Sequence, residues 1–127
     1  MRKPRIHFAW VVLGGVMLVM LAASALAARA DLVAVKDLLA QPDKWHGRAV
    51  VVSGTVSQLD AKTSQKGNPY YTFVLTEGLA SVNVFSYGSP QIRDTNRVQV
   101  EGTYLKVNRV GRYTFHNQVN ARRITPL

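Results

Sequence analysis

Residues 50–56 read VVVSGTV and residues 98–104 read VQVEGTY, two statements of one phrase, Val-x-Val-x-Gly-Thr. β-Branched residues favour an extended backbone, whereas glycine weakens a strand because it gives up side-chain packing and costs backbone entropy. A glycine at the same place in the two most strand-like stretches therefore needs a reason. With period-two alternation, Val50, Val52, Gly54 and Val56 share one face, and Val98, Val100, Gly102 and Tyr104 share another. Both glycines thus point inward with the valines. A small closed sheet must coil its strands sharply, and an inward glycine removes the side chain that would crowd the bend. The phrase predicts neighbouring strands with Gly54 and Gly102 as equivalent bending points. The similarity ends within these few residues, which argues against a duplicated module.

The alternation continues on both sides of the phrase. The first strand, 48–59, is followed by a polar loop over 60–69, DAKTSQKGNP, rich in turn residues. The second strand, YYTFVLTE, places Tyr71, Phe73 and Leu75 opposite Tyr70, Thr72 and Val74. A turn at Glu77-Gly78 leads to LASVNVFSY, where Val82 and Val84 alternate with Asn83, Phe85 and Tyr87. After GSPQIRDTN (88–96) come the fourth strand and a short loop, 107–112. The fifth strand puts Tyr113, Phe115 and Val119 on one side and Thr114, His116, Gln118 and Asn120 on the other. Tyr71, Phe73, Tyr104 and Phe115 are expected in the core. Ahead of the strands, Val35, Leu38 and Leu39 fall at helical spacing, Pro42 stops that helix, and Gly47 permits the turn into the sheet. Five strands after one short helix predict an all-β, closed or partly closed antiparallel barrel.

The chain has 127 residues, and its first thirty read as an export segment. MRKPRIH is basic, an apolar run from Phe8 to Ala28 follows, and ALA (25–27) or ARA (28–30) supplies small residues for cleavage. The run is also about long enough to remain as a membrane anchor. Either way residues 1–30 are set apart, residues 31–127 form one domain with room for one core, and that domain is expected outside the cytoplasm, periplasmic or extracellular. With no cysteine, disulfides, thiolate chemistry and a lipoprotein anchor are all excluded. The net charge is +9, of which Arg2, Lys3, Arg5 and Arg29 of the export segment account for four, leaving +5 on the domain. A moderately basic surface suits an anionic partner, and equally suits solubility alone.

The order of helix, P-x-x-W-x-G-R-x-V-x-V-x-G-x-V, a hairpin with YYTFVLTEG, and V-x-V-x-G resembles bacterial OB-fold domains of the tRNA-anticodon-binding-like type, over about residues 35–125. The resemblance implies a five-stranded Greek-key barrel and a nucleic-acid-binding ancestry. Many such domains carry a helix between the third and fourth strands. GSPQIRDTN leaves no room for one, so the N-terminal helix, with Leu38, Leu39 and Trp45, is expected to plug the barrel. An exported OB barrel is also similar to the haem chaperone of cytochrome c maturation, which holds haem through a histidine with a tyrosine four positions on. Here position 120, four after His116, is Asn, so haem attachment is not expected.

Catalysis finds no constellation. Asp37, Asp43, Asp60, Glu77, Asp94 and Glu101 are scattered, mostly at turns, and His46 and His116 lie on different elements. No metal cluster and no cofactor are expected, and the protein is read as a non-enzymatic binding module. OB-folds hold extended polymers on the face of strands two and three, stacking bases on aromatics and meeting the backbone with cations. Tyr70, Phe85 and Tyr87 on the face opposite the core, Lys62 and Lys66 in the first loop, and Arg109 and Arg112 in the second are the candidate ligand-binding residues. The partner they fit is single-stranded nucleic acid or another anionic polymer. The alternative is a cell-envelope scaffold whose two loops meet a protein or glycan. Arg122-Arg123 reads as a solvated strand end.

Overall fold

A computed structural model describes residues 29–127. The expected export segment, residues 1–30, lies outside the described residues apart from its last two positions. The elements are β1 (Asp31–Leu32), α1 (Val35–Ala40), α2 (Pro42–Trp45), β2 (Ala49–Thr63), β3 (Pro69–Glu77), β4 (Ala80–Tyr87), β5 (Arg97–Val110) and β6 (Tyr113–Pro126). All six strands join one sheet in the order β1-β2-β3-β4-β6-β5, and β5 also pairs back onto β2. The sequence predicts five strands; β1 is the sixth, laid parallel to β2 through Asp31↔Val50 and Leu32↔Val51.

The repeated phrase meets itself across the β2–β5 pairing. Val50 opposes Gly102, Val52 opposes Val100, and Gly54 opposes Val98, so each glycine faces the first valine of the other strand. A Cβ on Gly54 would stand 2.5 Å from the Thr76 carbonyl oxygen. One on Gly102 would stand 2.8 Å from the Ala121 Cα and nearer still to the Asn120 carbonyl oxygen. The strands coil so tightly at these two points that partner backbone occupies the place of a side chain.

The pairings run β2-β3-β4-β6-β5 and back to β2, a circuit of five. Antiparallel neighbours alternate in direction, and an odd circuit cannot alternate all the way round. One pair in it is therefore parallel. It is β4 with β6, at Asn83↔Gln118, Val84↔Val119 and Phe85↔Asn120, which corrects the expectation of a wholly antiparallel sheet.

Inward residues of every long strand meet in one core, including Val52, Phe73, Leu75, Val84, Val100, Tyr104 and Val119. From outside the sheet, α1 adds Val35 and Leu38, both fully buried, and lies against β3 and β4. Leu39, expected in that plug, is exposed instead. Val35 and Leu38 lie three apart and already fill the narrow buried stripe of so short a helix, and Leu39 falls outside it. Trp45 packs at the core's margin. Pro42 does more than stop α1, since it begins α2, where its missing N–H is no loss. The 88–96 connection has no helix but contributes Ile92 to the core. Ala34, at the cap position of α1, offers no side-chain oxygen. The Glu77 carboxylate at the end of β3 takes the Val35 N–H at 2.9 Å instead, tying the helix to the sheet.

Of the three non-glycine residues in left-handed backbone, Thr95 lies in the 88–96 connection, while Gln58 (φ 53) and Asn117 (φ 50) lie within strands and interrupt the alternation. At Gln58 β2 carries one residue more than β3: Ser57 opposes Val74, yet Asp60 opposes Thr72. Beyond this bulge β2 continues to Thr63, so the loop expected over 60–69 shrinks to a turn at 64–68. The Ser64 hydroxyl, accepting the Asn68 N–H at 3.1 Å, helps close that turn. The loop expected over 107–112 shrinks likewise to Gly111-Arg112, between the paired Val110 and Tyr113.

Candidate polymer-binding groove

A groove of about 790 Å³ lies across the outer face of β3 and β4. Because side chains alternate, the residues that leave the core on these strands are Tyr70, Thr72 and Val74 on β3 and Asn83, Phe85 and Tyr87 on β4. Register places Tyr70 opposite Tyr87 and Thr72 opposite Phe85. Three aromatic rings consequently touch. Phe85 lies 5.4 Å from Tyr70, tilted by 30°, and 5.0 Å from Tyr87, edge to face at 88°. Tyr87 is 77% exposed, so its ring is open to solvent at the end of this cluster.

The far wall comes from β6. Tyr113 and Phe115, expected on the core side with Val119, line the groove and are 60% and 45% exposed. Phe115 and Gln118 are an odd number of residues apart and nevertheless share the groove, which strict alternation forbids. Asn117 lies between them in left-handed backbone, and its Oδ1 accepts a hydrogen bond from the buried Tyr104 hydroxyl. That anchor holds the kink and turns Tyr113 and Phe115 outward. The only sequence signal for it is an asparagine within a strand, one of the few residues that enters this backbone region readily.

Between the aromatic walls the lining carries five carboxamides, Gln58, Asn83, Asn108, Gln118 and Asn120. Asn108 Nδ2 donates to Gln118 Oε1 at 3.3 Å, and Asn83 Nδ2 donates to the His116 carbonyl oxygen at 3.3 Å. Asn120 is different. Its Oδ1 is buried and has no hydrogen-bond partner, the one such side-chain atom among the described residues.

Of the residues singled out from sequence, Tyr70, Phe85, Tyr87 and Lys62 are brought together in this lining. Lys62 extends from β2 beside Asp60, 3.5 Å from its carboxylate, so the two charges offset each other within the groove. Lys66, Arg109 and Arg112 stand outside the lining. Lys66 is exposed in the 64–68 turn, Arg109 is exposed on β5 opposite Thr114, and the Arg112 guanidinium lies 5.6 Å over the Tyr113 ring. Sequence reasoning missed Tyr113, Phe115 and the carboxamides.

The shifted ionisable groups lie away from the groove lining. A hydrogen bond from Lys106 and its charge hold Asp43 below the usual carboxylate range, and a hydrogen bond from Arg122 does the same for Glu101. Burial, with the Asp43 charge adding to it, pushes the Tyr104 hydroxyl up. His46 Nδ1 accepts the Lys106 N–H at 2.9 Å. Among the described residues no group of three or more His, Asp or Glu side chains is placed to hold a metal ion, and no helix is long and apolar enough to cross a membrane.

No family model matches the chain, and no curated protein sequence matches it. Solved structures do. The OB domain of Ta0387 from Thermoplasma acidophilum aligns with a TM-score of 0.51 at 22% identity, covering 77% of this chain and 88% of that one. A chain named as an aspartyl-tRNA synthetase, from Leishmania major Friedlin, aligns with a TM-score of 0.57 at 20% identity over 78% of this chain. This chain spans only 21% of that synthetase's length. At such identities likeness speaks to architecture alone. What it establishes, together with the strand pairing, is that residues 29–127 contain an OB-fold.

Proposed function

We propose that this protein is an exported, non-enzymatic binding module whose circuit of five strands is a Greek-key OB barrel and whose groove holds single-stranded nucleic acid or a comparable anionic polymer. The observation that carries the reading is the pair of aromatic walls. Tyr70, Phe85 and Tyr87 on one side and Tyr113 and Phe115 on the other flank an open groove on the face where OB-folds take extended chains. Aromatic faces stack on any base, each stack worth about 1–3 kcal/mol, and sequence-independent binding follows. Lys62 in the lining, with Lys66 from the 64–68 turn and Arg109 and Arg112 from the end of the β5–β6 hairpin, would supply the phosphate contacts. Residues 1–30 deliver the domain across the membrane, whether cleaved afterwards or kept as an anchor.

Titration of a fluorescent single-stranded oligonucleotide across a salt series tests this. Four phosphate contacts at most make log K fall against log[salt] with a slope no steeper than about −3. Absence of binding at low salt refutes the reading.

One observation favours a second reading. The side-chain amides of Gln58, Asn83, Asn108, Gln118 and Asn120 outnumber the single lining cation, Lys62. Such a surface suits a neutral envelope glycan, stacked on the aromatics and hydrogen-bonded by the amides. Binding of a polysaccharide without salt dependence, and none of an oligonucleotide, would select it.

A further inference from the structure

The unpartnered oxygen of Asn120 has a use that the aromatic walls do not explain. Parallel register sets Asn120 beside Phe85, the ring at the centre of the three-ring cluster, and both line the groove. The neighbouring carboxamides are accounted for within the protein: Gln118 accepts from Asn108, and Asn83 donates to His116. Asn120 Oδ1 alone is shielded from solvent with nothing donating to it, an arrangement that disfavours the unliganded state. The residue as a whole is only partly buried. The oxygen therefore has no hydrogen bond to lose when the carboxamide turns about χ2 to meet a ligand. Such a group gains from a ligand donor without first giving one up.

We infer that Asn120 is a specificity-determining residue that reads the edge of a base stacked on Phe85, accepting a hydrogen bond from a ring N–H donor such as the imino group of thymine or uracil. The inference rests on the nucleic-acid reading of the groove and sharpens it. Stacking and phosphate contacts are indifferent to sequence, whereas a carboxamide presents an acceptor and a donor side by side and complements an imino group flanked by carbonyl oxygens. The groove therefore prefers bases that carry that pattern over bases of the same size and charge that lack it.

The test compares an oligothymidylate of about a dozen residues, within the span an OB-fold holds, with the same oligomer methylated at thymine N3. Methylation leaves the ring face and the phosphates in place and removes the donor. The unmodified protein is expected to bind the methylated oligomer roughly tenfold more weakly. Asn120→Ala is expected to bind both alike, with an unchanged salt slope. Its thermal midpoint should be no lower than that of the unmodified protein, since the substitution removes an unsatisfied oxygen. Equal binding of the two oligomers by the unmodified protein, or discrimination that survives in Asn120→Ala, overturns the inference while leaving the stacking groove intact. A clear drop in thermal midpoint identifies Asn120 as a structural residue and overturns it too. Failure of either oligomer to bind at low salt is a separate result, which refutes the groove reading beneath it.

Discussion

Gly54 and Gly102 show how much can depend on an absent side chain. Partner backbone stands where their Cβ atoms would be, and backbone cannot move aside as a flexible side chain can. Gly54→Ala and Gly102→Ala should each destabilise the domain by about 2–3 kcal/mol, Gly102→Ala the more, read as a lower urea midpoint. The groove aromatics predict the opposite separation of effects. Tyr113 and Phe115 are exposed, so replacing either with alanine should leave the urea midpoint nearly unchanged. Oligonucleotide affinity should fall by about 1–3 kcal/mol for each ring that stacks on a base, measured in the same titration. A loss of stability without a loss of affinity would return those rings to a packing role.

Among the elements, β3, β4 and the first part of β5 follow the alternation that their sequences announce. Each has one wholly apolar inward face, and a slip of a single residue would expose all of it. The repeated glycine phrase likewise identified the β2–β5 neighbours, because its geometry is local and inward. What could not be read were the places where the two-residue rhythm resets. Gln58 and Asn117 take left-handed backbone for reasons that lie across the sheet: an extra residue against β3 in one case, the Tyr104 hydroxyl in the other. Everything on the far side of a reset changes face, and so Phe115 was expected in the core; Lys62 was expected in a loop because the turn residues of 60–69 hid a strand that runs on past its bulge. The carboxamides were passed over because single asparagines and glutamines carry no spacing signature. Asn117 gives this a test. Asn117→Asp keeps both an acceptor for Tyr104 and tolerance of the backbone, and should be close to neutral. Asn117→Val loses both, costing about 1–2 kcal/mol for the backbone and a further 1–3 kcal/mol for the stranded hydroxyl. It should also weaken oligonucleotide binding, because Phe115 is no longer held toward the groove.

For the molecule as a whole, the direction of each shift sets how stability varies with pH. Asp43 and Glu101 are held below their ordinary values, so their contribution is present above those values and lost as pH falls through the lowered ones. Asp43 is exposed and Glu101 partly so, and that acid limb should be shallow and flattened further by salt. Tyr104 is fully buried and shifted upward from 10.0, so its contribution is complete below that value and disappears as pH rises through the raised one. Urea midpoints should therefore hold steady through neutrality and drop in strong alkali, and Tyr104→Phe should make the alkaline drop smaller. The odd count of strands in the circuit has a consequence for motion as well. Parallel ladders are slightly less stable per residue, and the β4–β6 contact is only three residue pairs long. It is the seam at which the ring would first breathe, and amide hydrogen exchange should be fastest there among the long-strand pairings. Phe85 and Asn120 sit on opposite lips of that seam, so a polymer touching both would stitch it shut and slow exchange on two strands at once.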